Sequence, residues 1–153
     1  MSRTSMEMWE LVARESIRDL VARYNASGDA GRLGPMMALF AEDAVVEFVG
    51  HGHFRGRDEI RGLFSGATGG LVEPPTMIQH HVSSHVIDVL TPTTAKGRSY
   101  FAVFTAEGAD HWGRYVDEYR EEDGRWLFAS RKIKVVGQVP GGWGDRASRR
   151  LSQ

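Results

Sequence analysis

Apolar residues near the start of the chain recur at helical spacing: Trp9, Val12, Ile17, Leu20, Val21 and Tyr24 share one face, and Thr4 with Glu7 reads as a capping box. The pattern predicts a first helix that ends near residues 26–28, where Gly28 would close it. A loop follows through Asp29, and Pro35 is placed to open a second helix carrying Met36, Met37, Leu39 and Phe40. Residues 44–49 alternate weakly as a strand, His51 to His53 form a turn, and residues 57–64 make a third helix through Ile60, Leu63 and Phe64. Residues 65–75 are rich in helix breakers and read as a covering loop.

Beyond that loop the period changes to two. Strands are predicted over residues 77–90 and 95–105, and two runs of β-branched and aromatic residues within 112–136 flank Glu122, Asp123 and Gly124. A three-residue hairpin loop with Gly124 in the left-handed region would set Tyr115 opposite Arg131 and Tyr119 opposite Leu127. Leu127, Ala129, Ile133 and Val135 would then share a face with Arg131. Trp112, Val116, Trp126 and Phe128 would lie on the outer face, which is enough apolar surface to favour a homodimer or homotrimer. Residues 138–153 have the composition of an irregular tail, although Trp143 could dock.

Helices first and antiparallel strands afterwards predict an α+β fold, one sheet curling around a few helices and leaving a cavity between them. With 153 residues, 41% of them hydrophobic, the whole chain fits one domain, its core over about residues 8–137. Net charge is −1 with scattered basic residues, which argues against nucleic acid or an anionic membrane as a partner. Absence of cysteine excludes disulfides and thiolate chemistry. The charged N-terminal segment reads as neither a signal peptide nor a spanning helix, so a cytoplasmic protein is expected.

Three histidines fall in residues 77–90, and alternation divides them. His80 shares a face with Ile78, Val82 and Val86, while His81 and His85 share the other with Gln79 and Ile87. A lone histidine on an apolar face is ordinarily a satisfied core group, whereas one held by a carboxylate has a fixed tautomer and can act as a base. Asp29 is the possible holder, though a turn aspartate would look the same in sequence. His51 and His53 with one of the strand histidines could suggest zinc or copper, but two histidines in a turn without an acidic ligand make a poor site, so no metal is expected. No phosphate-binding loop or nucleophile elbow is present, and no cofactor is called for.

The order Tyr24, Asp29, LFAEDAVVEF (39–48), FRGRDEI (54–60), IQHHVSSHVIDV (78–89) and GRYVDEYREEDGRWLFASRKI (113–133) resembles the SnoaL-like branch of the NTF2-like superfamily. The resemblance implies a cone-shaped fold with three N-terminal helices packed in a strongly curved antiparallel sheet around an apolar pocket. Dehydratase and dehydrochlorinase members imply Asp29 as the residue that orients a histidine base, His80, with Arg131 as a pocket cation. Phe48 and Gly28 stand where a dehydratase of that family carries tyrosines, and Thr105 lies nearest the place of its second pocket histidine. Tyr115 is implied as a pocket residue able to donate a hydrogen bond, with Tyr24, Phe48, Phe101, Val103 and Asp117 as further substrate-binding positions.

The implied activity is a cofactor-independent lyase or isomerase acting on a small, largely apolar cyclic molecule. The alternative is a non-catalytic protein of the same fold that binds a small hydrophobic ligand. For Arg131 two arrangements are open, a bidentate structural pair with Asp117 or a donor facing the cavity, and its alignment with Tyr115 favours the second.

Overall fold

The computed structural model describes residues 5–68 and 75–153. Helix α1 spans Met8–Asp29 and is followed by α2, Leu33–Met37. Strand β1 (Phe40–Phe48) and the short β2 (Gly52–Arg55) precede α3, Gly56–Thr68. Then come β3 (Ile78–Thr91), β4 (Thr94–Thr105), β5 (Gly108–Glu122) and β6 (Arg125–Gln138). Helix α4, Trp143–Leu151, follows β6. The expected capping residue Thr4, and residues 69–74 of the expected covering loop, lie outside the described residues.

Helix α1 begins one turn later than Thr4 would require: the Glu7 N–H donates to the Glu10 carboxylate at 3.1 Å. It buries Ile17, Leu20, Val21 and Tyr24 as its periodicity predicts, but Trp9 and Val12 remain exposed because the covered face of the first turns runs through Glu10 and Ala13. Nor does Gly28 close the helix. Ala30 caps it and Gly31, at φ 69°, turns the chain, so that Asp29 becomes the last helical residue.

The six strands of the described residues form one sheet in the order β2-β1-β6-β5-β4-β3. The expected antiparallel sheet contains one parallel pair, β1 beside β6, with Val46 next to Arg131. Every other neighbour pairs antiparallel. Core residues from α1, α2 and α3 pack on the inner face, where Tyr24 meets Phe40 and Phe128 edge-on at ring distances of 5.9 and 5.4 Å.

Two bulges correct the side-chain parity read from the sequence. The β5–β6 turn has two residues, not three: Glu122 pairs with Arg125, and Asp123 and Gly124 both take positive φ, 50° and 79°, as a primed hairpin turn demands. A shift between the Glu118–Ser130 and Tyr119–Phe128 pairs then inserts Ala129 as an extra residue on β6. Arg131 therefore still points inward, opposite Asp117 and not Tyr115, while Phe128 moves from the expected outer face into the core at 0% exposure. In β3 the shift between Ser83 and Val86, with Ser84 at φ 50°, exchanges the faces, so Ile87 is buried and Val86 exposed. The tail is also ordered differently from expectation, because residues 143–151 form a helix held by Asp145, which accepts from the Gly141 N–H at 2.8 Å and pairs with Arg149 at 2.9 Å.

Candidate active site

Between α1, the inner face of the sheet and α4 lies a cavity of about 670 Å³. Tyr24, Phe48, Phe101, Tyr115, Ile133 and Leu151 supply much of its apolar wall, and Asp29, His51, His80 and His111 are the carboxylate and imidazole side chains among its lining residues.

The position of Asp29 follows from local geometry: it ends α1 just before the left-handed turn at Gly31, so its carboxylate projects toward the start of β3. One carboxylate oxygen, Oδ2, accepts from the His80 backbone N–H at 2.9 Å, and Oδ1 meets His80 Nδ1 at 2.5 Å. Gripping backbone and ring of one residue fixes the ring orientation. With Nδ1 committed to Asp29, Nε2 is the nitrogen left to exchange a proton with a bound molecule. Both side chains keep about a fifth of their surface open, 24% for His80 and 20% for Asp29, in the wall of the cavity.

Arg131 is placed differently from the favoured expectation. Its Nε and Nη2 donate to the two oxygens of Asp117 at 2.8 and 2.9 Å, and both side chains are sealed at 0% exposure. The guanidinium lies against the rings of Tyr115, Tyr24 and Phe128, with its carbon 3.7, 4.3 and 4.5 Å from their centroids, and Nη1 is buried without an acceptor. Burial works against its charge, yet Asp117 outweighs that and holds the guanidinium above its ordinary value. Tyr119 completes the network, donating to Asp117 at 2.8 Å and meeting His85 Nε2 at 3.1 Å. Arg131 and Asp117 thus sit behind the cavity wall rather than in it, for the physical reason that the hairpin register pairs them directly. Val103, also expected at the pocket, is fully buried core.

Tyr115 and Tyr24 do line the cavity, and burial raises both phenols above their ordinary value. Each therefore stays a neutral donor. Phe101 stacks on Tyr115 at 4.5 Å, and Phe48 closes the wall near His51. Thr105 remains off the wall, accepting from the Glu107 N–H through its hydroxyl.

His111 and Asp110 were not anticipated from the sequence. The shift between Val103 and Phe104 leaves Asp110 as an extra residue of β5, which frees it from strand alternation. Asp110 then turns inward beside His111, with Oδ2 2.7 Å from His111 Nδ1. The adjacency of the two residues in a strand was the available signal, but regular alternation would have pointed them apart. Among the described residues no three His, Asp or Glu side chains converge as a metal site.

A SnoaL-like domain matches residues 9–132, and the chain belongs to that family. The fold is the cone-shaped one of the NTF2-like superfamily, and solved structures resemble it over most of their length. A candidate scytalone dehydratase from Novosphingobium aromaticivorans is 24% identical with a TM-score of 0.77, covering 88% of this chain and 91% of its own. A hexachlorocyclohexane dehydrochlorinase from Novosphingobium barchaimii is 17% identical with a TM-score of 0.75, covering 88% and 93%. The beta subunit of a candidate aromatic-ring-hydroxylating dioxygenase from Novosphingobium aromaticivorans, at 18% identity and a TM-score of 0.70, covers 85% and 93%. At these identities the likeness is one of fold. No curated protein sequence matches the chain. No helix among the described residues is long and apolar enough to cross a membrane.

Proposed function

We propose that the chain is a cofactor-independent lyase or isomerase that removes a proton from carbon in a small, largely apolar cyclic molecule. The observation that carries this reading is the Asp29–His80 pair, 2.5 Å long, opening onto a cavity with mostly apolar walls. His80 Nε2 takes the proton, and Asp29 holds the ring and offsets the charge of the imidazolium that forms. Tyr115, as a neutral phenol, is a candidate donor to an oxygen of the bound molecule.

The test uses 1-tetralone, a bicyclic ketone with exchangeable hydrogens next to its carbonyl, in deuterium oxide, with exchange followed by NMR. The protein should accelerate exchange, and His80→Ala should lower that acceleration on the order of 10²–10⁴-fold, the range of a positioned general base. An unchanged rate in His80→Ala removes His80 as the base. Binding of 1-tetralone with no acceleration at all supports instead a non-catalytic carrier of hydrophobic ligands, a reading favoured by the aromatic wall of Tyr24, Phe48, Phe101 and Tyr115.

The active form on this reading is a homodimer or homotrimer joined through the outer sheet face, where Tyr100, Trp112 and Val116 are 57%, 40% and 53% exposed. Light scattering at micromolar concentration tests it, and a monomer mass refutes it.

A further inference from the structure

We infer that Asp110 and His111 form a second acid–base pair in the cavity, assembled by the docking of α4, in which His111 gives a proton to the oxygen of the molecule that His80 deprotonates. This rests on the proposed role of His80. The imidazole rings of His80 and His111 are 6.3 Å apart at 85° to each other, both in the wall of the same cavity, so one small molecule meets both. Each ring is held the same way, with Nδ1 on a carboxylate, which leaves Nε2 as the working nitrogen of each.

The Asp110 carboxylate is the hub of this arrangement. Its Oδ1 accepts from the Trp143 N–H and its Oδ2 from the Gly144 N–H, each at 2.8 Å, in addition to His111. The approach is so close that a Cβ on Gly144 would lie 2.6 Å from His111 Nδ1, and one on Gly142 would lie 2.7 Å from Asp110 Oδ1. Trp143 lies beside His111 in the cavity wall at a ring distance of 6.2 Å. Burial favours the deprotonated Asp110 less, but the bonds from His111, Gly144 and Trp143 overcome it and hold the carboxyl below its ordinary value. Burial likewise lowers His111, against the pull of Asp110, so the imidazolium that donates is the minor form near neutral pH and a stronger acid than a free one. The cavity thus has its second ionisable pair within reach of His80, where Arg131, sealed behind Tyr115, cannot serve.

The step balances as an enolisation. The C–H bond beside the carbonyl breaks as its proton passes to His80 Nε2, the electron pair shifts onto the carbonyl oxygen, and that oxygen takes the proton from His111 Nε2. The product is a neutral enol, with His80 protonated and His111 neutral, and return of the two protons reverses it.

Exchange of 1-tetralone distinguishes this inference from the reading beneath it. If wild-type protein gives no exchange, the proposed function and this inference fall together. If wild type exchanges and His80→Ala does not, His111→Gln should slow exchange on the order of 10²-fold, the size of one lost donor to a developing oxyanion. Gly144→Ala, which pushes α4 off the pair, should lose a similar factor, and the double variant should lose no more than either alone. Full exchange in His111→Gln overturns the inference and leaves His80 standing; additive losses overturn the link to α4. For the unaltered protein, ¹⁵N NMR of the histidines with 1-naphthol, a stable mimic of the enol, should move the Nε2 signals of both His80 and His111. A shift confined to His80 also overturns the inference, whatever the variants do.

Discussion

Asp29–His80 and Asp117–Arg131 are built alike, each a carboxylate that uses both oxygens on one basic residue, yet only the first touches open volume. At 20–24% exposure the first pair can exchange a proton with a bound molecule. The second, at 0%, can exchange nothing and acts instead as a joint between β5 and β6. A charged residue on the inner face of a strand is therefore not yet a functional residue; what lies between it and the cavity decides. Here the rings of Tyr24 and Tyr115 lie between.

The largest expected effect that separates the two pairs is on stability. Arg131→Leu leaves Asp117 buried and uncompensated, which should cost about 3–5 kcal/mol. For a chain of this size that is a fall in Tm of roughly 6–20 °C. Urea and thermal melts check it, and exchange of 1-tetralone per folded molecule should stay near wild type at low temperature. Loss of exchange in a fully folded Arg131→Leu protein would move Arg131 back into the chemistry.

Tyr119→Phe should have a smaller effect, about 1–2 kcal/mol, because it removes the hydroxyl's contacts with Asp117 and His85 while Arg131 Nη2 still satisfies Asp117 Oδ2. Melts of the single variant, compared with those of Arg131→Leu and the double variant, measure how tightly the phenol and the ion pair are coupled.

The smallest effect is on pH dependence. Burial lowers His85 below its ordinary value of 6.5, Arg131 and Arg18 push the same way, and Asp117 opposes them. A group with a depressed value in the folded state contributes its stability above pH 6.5 and loses it as pH falls through the folded value. Denaturant melts should therefore show a decline below pH 6.5, and that decline should be shallower in His85→Gln. An identical slope in both proteins would assign the acid sensitivity to other groups.

His80 was legible as inward-facing because it precedes the irregularity of β3, where alternation holds from Ile78 to Ser83 and fails only at Ser84. Asp29, at the end of α1, looked like any turn aspartate and was paired with His80 through the family resemblance. Arg131 was legible as inward for a reason that does not hold, since a three-residue turn and a two-residue turn followed by a bulge at Ala129 give it the same face. Phe128 exposes the difference, because only the bulge buries it. Asp110 and His111 were illegible for the same physical reason, an extra strand residue that cancels the period of two. Helix α4 was hidden by the composition of its surroundings, Pro140, Gly141 and Gly142, and its anchors, Asp110 and Asp145, come from β5 and from its own first turn.

The parallel pairing of β1 with β6 also sets the order in which the molecule can be made. Strand Phe40–Phe48 can pair with Gly52–Arg55 as soon as both leave the ribosome, but its other edge waits for Arg125–Gln138, which follows β3, β4 and β5 in the chain. Contacts so distant in sequence close slowly, since the loop entropy must be met before the pairing returns anything. Until then the two halves of the sheet, β1–β2 and β3–β4–β5, each present an unpaired edge toward the gap that β6 will fill. One strand, arriving late, closes both edges and brings the Asp117–Arg131 joint with it.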